Sequence, residues 1–306
     1  MKKFLPGLEP YIDEHTSVVC ADPNSHVGLI VPEIIMAYGD VKTKAKGAKN
    51  ILPKMFKTVR EMKKSYRSVT RNPQLGKTLL STADLRELKQ FARDLGAEDI
   101  GFTRVEPTMI FKDKKILFEY AIVLTMEMKK AAIDLAPSTK AQAEIFRTYL
   151  GLGVIVNKIA DFLRNKGYNA QAGPALGGDV NYSLLAQQAG LGAIGKHGLL
   201  ITPALGPSLR LAAVYTDIEN LPLNETNEHL WISSFCAKCN KCVRSCPAGA
   251  IYKDTTVFDD NSQQHIDYKK CAVPFSQQYG CTICVKECVF YNHDYYKIKE
   301  NFHDKL

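Results

Sequence analysis

Eight of the nine cysteines fall between positions 236 and 288, in two runs. The first reads Cys236-x2-Cys239-x2-Cys242-x3-Cys246-Pro247. Three thiolates two residues apart let one tight loop hold three corners of an iron–sulfur cube, and the fourth, followed by Pro, ligates the other cluster of a two-cluster fold. The second set is Cys271, then Cys281-x2-Cys284-x3-Cys288, with Val289 where a proline commonly follows the last cysteine. The ligand partition this predicts is crossed: Cys236, Cys239, Cys242 and Cys288 for one [4Fe-4S] cluster, Cys246, Cys271, Cys281 and Cys284 for the other. Structural zinc needs paired CxxC knuckles and explains neither the triple run nor Cys246-Pro247. The seven histidines show no paired ligand spacing either, so no zinc site is expected.

The cysteine chemistry also bounds the compartment. The opening MKKFLPGLEPYIDEHTS has a basic start but no apolar core, because Pro6, Glu9, Asp13 and Glu14 interrupt it. The expectation is a cytoplasmic protein without secretory or twin-arginine leader, in which thiols serve metal or redox chemistry rather than disulfides. Cys20 stands apart from both runs and reads as an ordinary thiol. The longest uncharged apolar runs, such as Tyr120–Met126, fall far short of a bilayer span. The formal charge of +8 falls to about +4 once eight thiolates carry two clusters, only mildly basic.

The 306 residues divide into three expected regions. Residues 1–80 form an N-terminal extension. From Lys42 to Arg71 it holds eleven Lys/Arg and one acid, Glu61, while Leu52, Met55, Phe56, Val59, Met62, Tyr66 and Val69 recur every three or four positions. This predicts a basic amphipathic helix over 51–69, packed on its own domain or facing an anionic membrane surface, an acidic electron donor or tRNA. Residues 81–225 alternate helix and strand. Ser81 caps a helix that Gly96 stops, 99–105 and 120–126 read as strands, 142–166 as a long helix ended by Gly167, and 211–216 as another strand. Residues 226–306 hold the cysteines.

Within the middle region, Gly190, Gly192 and Gly195 spell G-x-G-x-x-G. A dinucleotide loop must follow a strand and open a helix. Here Tyr182, Leu185, Ala186 and Ala189 are spaced as on one helix face, so these glycines close a helix, and no suitably placed acid follows for a ribose. The stretch AQQAGLGAIGKHGLLITPALGPSLRLAAVYTDI, followed by the two cysteine runs, resembles the corrinoid-dependent iron–sulfur reductases, which include the reductive dehalogenases and the epoxyqueuosine reductases of tRNA modification. The Gly-Pro-x-x-Arg-Leu at Gly206–Leu211 and the ending Tyr215-Thr-Asp217 lean towards the dehalogenases.

That resemblance implies an α+β fold: a nitroreductase-like core holding cobalamin, joined to a ferredoxin-like C-terminal domain with two [4Fe-4S] clusters. It implies a reductase that takes electrons from an external low-potential donor, ferredoxin or flavodoxin, and delivers them through the corrinoid to a small-molecule substrate. Tyr149, Arg210 and Asp179 are the implied catalytic candidates. Asn181, Gly190, Gly192, Gly195, Lys196 and His197 are the implied cofactor-binding residues, the glycines by letting backbone approach a flat ring and His197 as a candidate cobalt ligand. Capping of the helix after Asn181 is an alternative role for Asp179 and Asn181. Two other readings share the eight thiolates: an electron-transfer protein without corrinoid, and a flavin reductase.

Overall fold

Period-two alternation in two eight-residue strands organises the core. The computed structural model describes residues 7–28, 37–39, 41–257 and 263–303. In chain order its strands are β1 (Val19–Cys20), β2 (Ile100–Arg104), β3 (Lys115–Ile116), β4 (Tyr120–Glu127), β5 (Gln171–Ala172), β6 (Ala193–Ile194), β7 (Leu200–Ile201), β8 (Leu209–Thr216), β9 (Ile251–Val257) and β10 (Gln263–Ile266). Its helices are α1 (Val41–Arg67), α2 (Thr82–Asp94), α3 (Lys130–Ile133), α4 (Thr139–Asn165), α5 (Tyr182–Gln188), α6 (Trp231–Cys239), α7 (Lys241–Ser245), α8 (Tyr268–Gln277), α9 (Ile283–Lys286), α10 (Val289–Asn292) and α11 (Tyr295–His303).

The main sheet has the order β2-β4-β8-β5, and each neighbouring pair is antiparallel. β4 and β8 pair along their full length, from Tyr120 opposite Thr216 to Glu127 opposite Leu209. Successive side chains of a strand point to opposite faces. Ile122, Leu124, Met126, Ala212 and Val214 therefore meet Leu152, Ile155, Val156, Ile159 and Leu163 of α4 on one face. Ala121, Val123, Ala213 and Tyr215 meet Leu185 and Ala186 of α5 on the other. A third apolar cluster carries Met128, Ile133, Ile145 and Ile201 from the core and Ile232, Val285, Phe290, Tyr295 and Ile298 from the cysteine region. The two regions thus share one packed seam.

The helix ends follow local chemistry. Ser81 accepts from the Asp84 N–H, Ser138 from the Ala141 N–H, and Gly96 and Gly167 terminate their helices at positive φ. The basic helix is longer than its apolar period predicts, starting at Val41. It lies along α4 in the same direction: Lys54 Nζ donates to the Ala143 carbonyl at 3.1 Å and Ser65 Oγ to Asn157 Oδ1 at 3.2 Å. Met62 and Tyr66 are buried, while Phe56 is 70% exposed and Lys57, Arg60, Lys63 and Arg67 face solvent. Among the described residues no helix is long and apolar enough to cross a membrane.

Candidate metal centre

The first cysteine run wraps around a turn. Cys236 and Cys239 lie on α6 and Cys242 on α7, and between the helices Asn240 adopts a left-handed conformation with φ +52°. That single residue reverses the chain, so three thiols point into a common pocket. Cys288, the N-cap residue of α10, joins them from the second run. Cys246 leaves α7 in an extended conformation, and its sulfur accepts from the Ala250 N–H at 3.3 Å. It sits with Cys271 on α8, Cys281 and Cys284, whose charges bear on one another. The loop that presents Cys281 runs left-handed through Tyr279, Gly280, Cys281 and Thr282, a backbone that non-glycine residues adopt only where surrounding structure imposes it. Lys241 of α7 and Glu287 pair at 3.6 Å, tying the two runs together.

One pocket groups Cys236, Cys239, Cys242 and Cys288, while Cys246, Cys271, Cys281 and Cys284 lie within one another's field, Cys284 also within that of Cys242. Burial pushes Cys284 up to about 12 and Cys236 and Cys271 to about 11, with neighbouring sulfurs adding to the effect, and it raises Cys288 further. Such thiols hold their protons unless a strong positive charge replaces them, as a bound metal does. Among the described residues no three or more His, Cys, Asp or Glu side chains converge closely enough for a single metal ion. A cube holds one thiolate at each iron corner.

The glycine loop leads to this pocket. α5 ends at Gly190 (φ +74°), and the chain continues as the β6–β7 hairpin, with Ala193 opposite Ile201. Asn227 Nδ2 donates to the Gln187 and Gly192 carbonyls and Asn224 Nδ2 to that of Ala189. A side chain at Gly192 would collide with the Ile201 carbonyl, one at Gly190 with Asn224, and one at Gly195 with the Ile201 side chain. At each of the three glycines the space a side chain would take is thus filled by this chain's own atoms.

Lys196 and His197, at the hairpin tip, line the pocket of Cys236, Cys239, Cys242 and Cys288. Lys196 Nζ donates to Asn240 Oδ1 at 2.9 Å, and both its backbone N–H and its charge act on the Cys236 sulfur, opposing the upward push of burial. His197 is 4% exposed. Desolvation lowers its pKa to about 4, reinforced by His265. Both candidate corrinoid-binding residues thus line the pocket of four cysteines.

The catalytic candidates fall in two places. Tyr149 on α4 and Arg210 on β8 meet, the guanidinium carbon 5.4 Å from the ring centroid, in cation–π range. Arg210 Nε is buried without a hydrogen-bond partner. Tyr149 borders the same apolar cluster as Cys236, Cys284 and Cys288. Asp179 is elsewhere: it is buried, and its two oxygens share the single Tyr66 hydroxyl proton at 2.9 and 2.8 Å, with Lys114 Nζ at 3.3 Å. Burial raises its pKa, against the pull of Lys114 and Tyr66. Asn181 caps α5, its Oδ1 accepting from the Ser183 and Leu184 N–H groups.

Sequence reading did not single out the aromatic wall of the first pocket. Phe235 stacks edge-on against Phe290 at 5.0 Å, and Trp231 Nε1 donates to Tyr295 Oη at 2.9 Å. The four-residue spacing of Trp231 and Phe235 on α6 was the available signal.

A 4Fe-4S binding domain matches residues 229–252. The tetrachloroethene reductive dehalogenase of Desulfitobacterium hafniense is 33% identical over 222 residues, covering 65% of this chain and 38% of that protein. The epoxyqueuosine reductase of Listeria monocytogenes is 26% identical over 219 residues, covering 66% and 54%. The solved structure of the catabolic reductive dehalogenase NpRdhA superposes with a TM-score of 0.68 at 20% identity, over 93% of this chain and 44% of that one. A mixed helix–strand core joined to a 4Fe-4S binding domain defines the class. Within it, the homologues of this chain are reductive dehalogenases and epoxyqueuosine reductases. The chain spans under two-fifths of the length of the dehalogenase above.

Proposed function

We propose that the chain is an iron–sulfur oxidoreductase in which two [4Fe-4S] clusters carry electrons from an external low-potential donor, ferredoxin or flavodoxin, to a corrinoid that reduces a small-molecule substrate. The observation that supports the electron path is the pocket shared by Cys236, Cys239, Cys242 and Cys288, with Cys246, Cys271, Cys281 and Cys284 as the ligands of the second cluster in this reading. The cysteines fit the clusters: all eight are free thiols, Cys288 buried and the other seven partly so. Cluster potentials reach the low end that such reductions demand.

The corrinoid has different support. A solved dehalogenase of the same fold is described as B12-dependent. When bound, such a group supplies a strongly reducing metal centre for carbon–halogen or carbon–oxygen cleavage. In the glycine loop, Ile201 and Asn224 fill the space that side chains at Gly190, Gly192 and Gly195 would need. The remaining candidates are Tyr149 and Arg210, in the core region that the resemblance assigns to a nitroreductase-like fold. The Arg210 charge favours a departing anion and orients the Tyr149 ring, whose hydroxyl is the proton source for the reduced carbon.

Anaerobically purified protein tests this reading by cobalt analysis and EPR. Stoichiometric cobalt with a base-off Co(II) signal is the expected result. Iron without cobalt would leave an electron-transfer protein, and a bound yellow chromophore a flavin reductase. A second reading, an epoxyqueuosine-reductase-like enzyme acting on tRNA, draws on the Lactococcus garvieae epoxyqueuosine reductase, 24% identical and covering 72% of both chains. It also draws on the solvent-facing Lys57, Arg60, Lys63 and Arg67 of α1. That reading expects tRNA binding with steep salt dependence; vesicle binding through Phe56 and the same cations would instead point to an anionic membrane.

A further inference from the structure

The Gly195–Gly198 turn delivers one buried polar atom that has no hydrogen-bond partner among the described residues. Gly195 N–H bonds to the Leu199 carbonyl at 3.0 Å and Gly198 N–H to the Gly195 carbonyl at 2.8 Å, closing the turn with Gly198 at φ +76°. Within it, the Leu199 N–H donates to His197 Nδ1 at 3.2 Å. A ring nitrogen that accepts carries no proton, so the neutral imidazole bears its hydrogen on Nε2. Nε2 is buried and has no hydrogen-bond partner among the described residues. His265, the neighbouring imidazole, makes no bond with it and has its own Nδ1 without a partner. Buried donors are nearly always paired, and an orphan calls for a specific acceptor. His197 lines the pocket of Cys236, Cys239, Cys242 and Cys288, where the sulfurs of a cluster are such acceptors.

We propose that His197 Nε2–H donates a hydrogen bond to the cluster held by Cys236, Cys239, Cys242 and Cys288 and sets its reduction potential, making His197 a positioning residue for electron entry rather than a cobalt ligand. The inference rests on the two-cluster reading above. A donor to sulfur stabilises the more negative, reduced cluster and so raises its potential. Lys196 acts in the same sense from the adjacent position, its ammonium fixed by Asn240 between two of the ligands. Reduction adds one electron from the external donor to the cluster, and the His197 proton stays on Nε2.

The test is an EPR-monitored redox titration of the anaerobic two-cluster protein and its variants. His197→Phe keeps a planar ring without the donor. It should lower the reduced-to-oxidised ratio of one cluster at least tenfold at fixed ambient potential, about 59 mV for one electron, and leave the other cluster unmoved. His197→Gln, whose amide places an N–H near the Nε2 position, should restore most of the shift. An unmoved potential in His197→Phe with iron retained overturns the proposal and leaves the two-cluster reading standing. Should His197→Phe lose the cluster, wild-type protein with 15N-labelled histidine decides: a weak nitrogen coupling to the reduced cluster is expected, and its absence overturns the proposal. Wild-type protein without iron overturns this inference and the reading beneath it together.

Discussion

Asp179 shows how a residue picked out by chemistry can serve architecture. Its carboxylate is buried, faces Lys114 across 3.3 Å and accepts one bifurcated bond from the hydroxyl of Tyr66, which arrives on α1 from more than a hundred residues earlier. Tyr66→Phe keeps the ring and removes the donor, leaving a buried carboxylate short of a partner. The expected cost is about 1–3 kcal/mol, read as a lower urea midpoint for the anaerobic protein, with iron content unchanged. An unaltered midpoint would show that Asp179 does not anchor α1. Arg210 and Tyr149 are opposite in kind, half-buried and loosely committed, as groups reserved for a reaction tend to be. Arg210→Met should fold and bind iron normally while reductive turnover falls on the order of a hundredfold. Equal turnover would remove Arg210 from the chemistry.

At the scale of elements, crossing of the cysteine runs has a direct consequence. Cys288 ends the second run but lines the pocket of the first. Cys288→Ser should therefore perturb the EPR spectrum and stability of the cluster held by Cys236, Cys239 and Cys242, sparing the one at Cys246, Cys271, Cys281 and Cys284. Cys271→Ser should do the reverse, and matching effects on one and the same cluster would refute the partition. The grouping of Cys236, Cys239 and Cys242 was legible because one short turn sets their spacing locally. The long elements were legible from their patterns: α4 repeats its apolar period over many residues, and β4 is a continuous apolar run buried on both faces. The two-residue strands β5, β6 and β7 are too short to show a period, and tertiary pairing alone defines them. The start of α1 lay hidden because 41–50 is basic with few apolar residues to mark a face. The glycines were visible but their purpose was not: close packing against Ile201 and Asn224 depends on segments distant in sequence. His197 was likewise named without its role, which needs the Leu199 bond and the pocket together.

For the whole molecule, the account requires that the cysteine region and the core act as one body. The third apolar cluster joins them, and Gly206 in the core fits directly beneath the Phe290 carbonyl at φ +54°, where a side chain would collide. Gly206→Ala should therefore destabilise by about 1–3 kcal/mol through overpacking, with faster iron loss under air as the seam loosens. Iron loss at the wild-type rate would show that the seam does not protect the clusters. The central claim remains that eight thiols hold two cubes side by side. Anaerobic protein analysed for iron and acid-labile sulfide, then reduced and examined by EPR, tests it most directly. About eight iron and eight sulfide per chain, with the broadened signal of two interacting clusters, is the predicted result. Stoichiometric zinc, or iron sufficient for a single cluster, would contradict it.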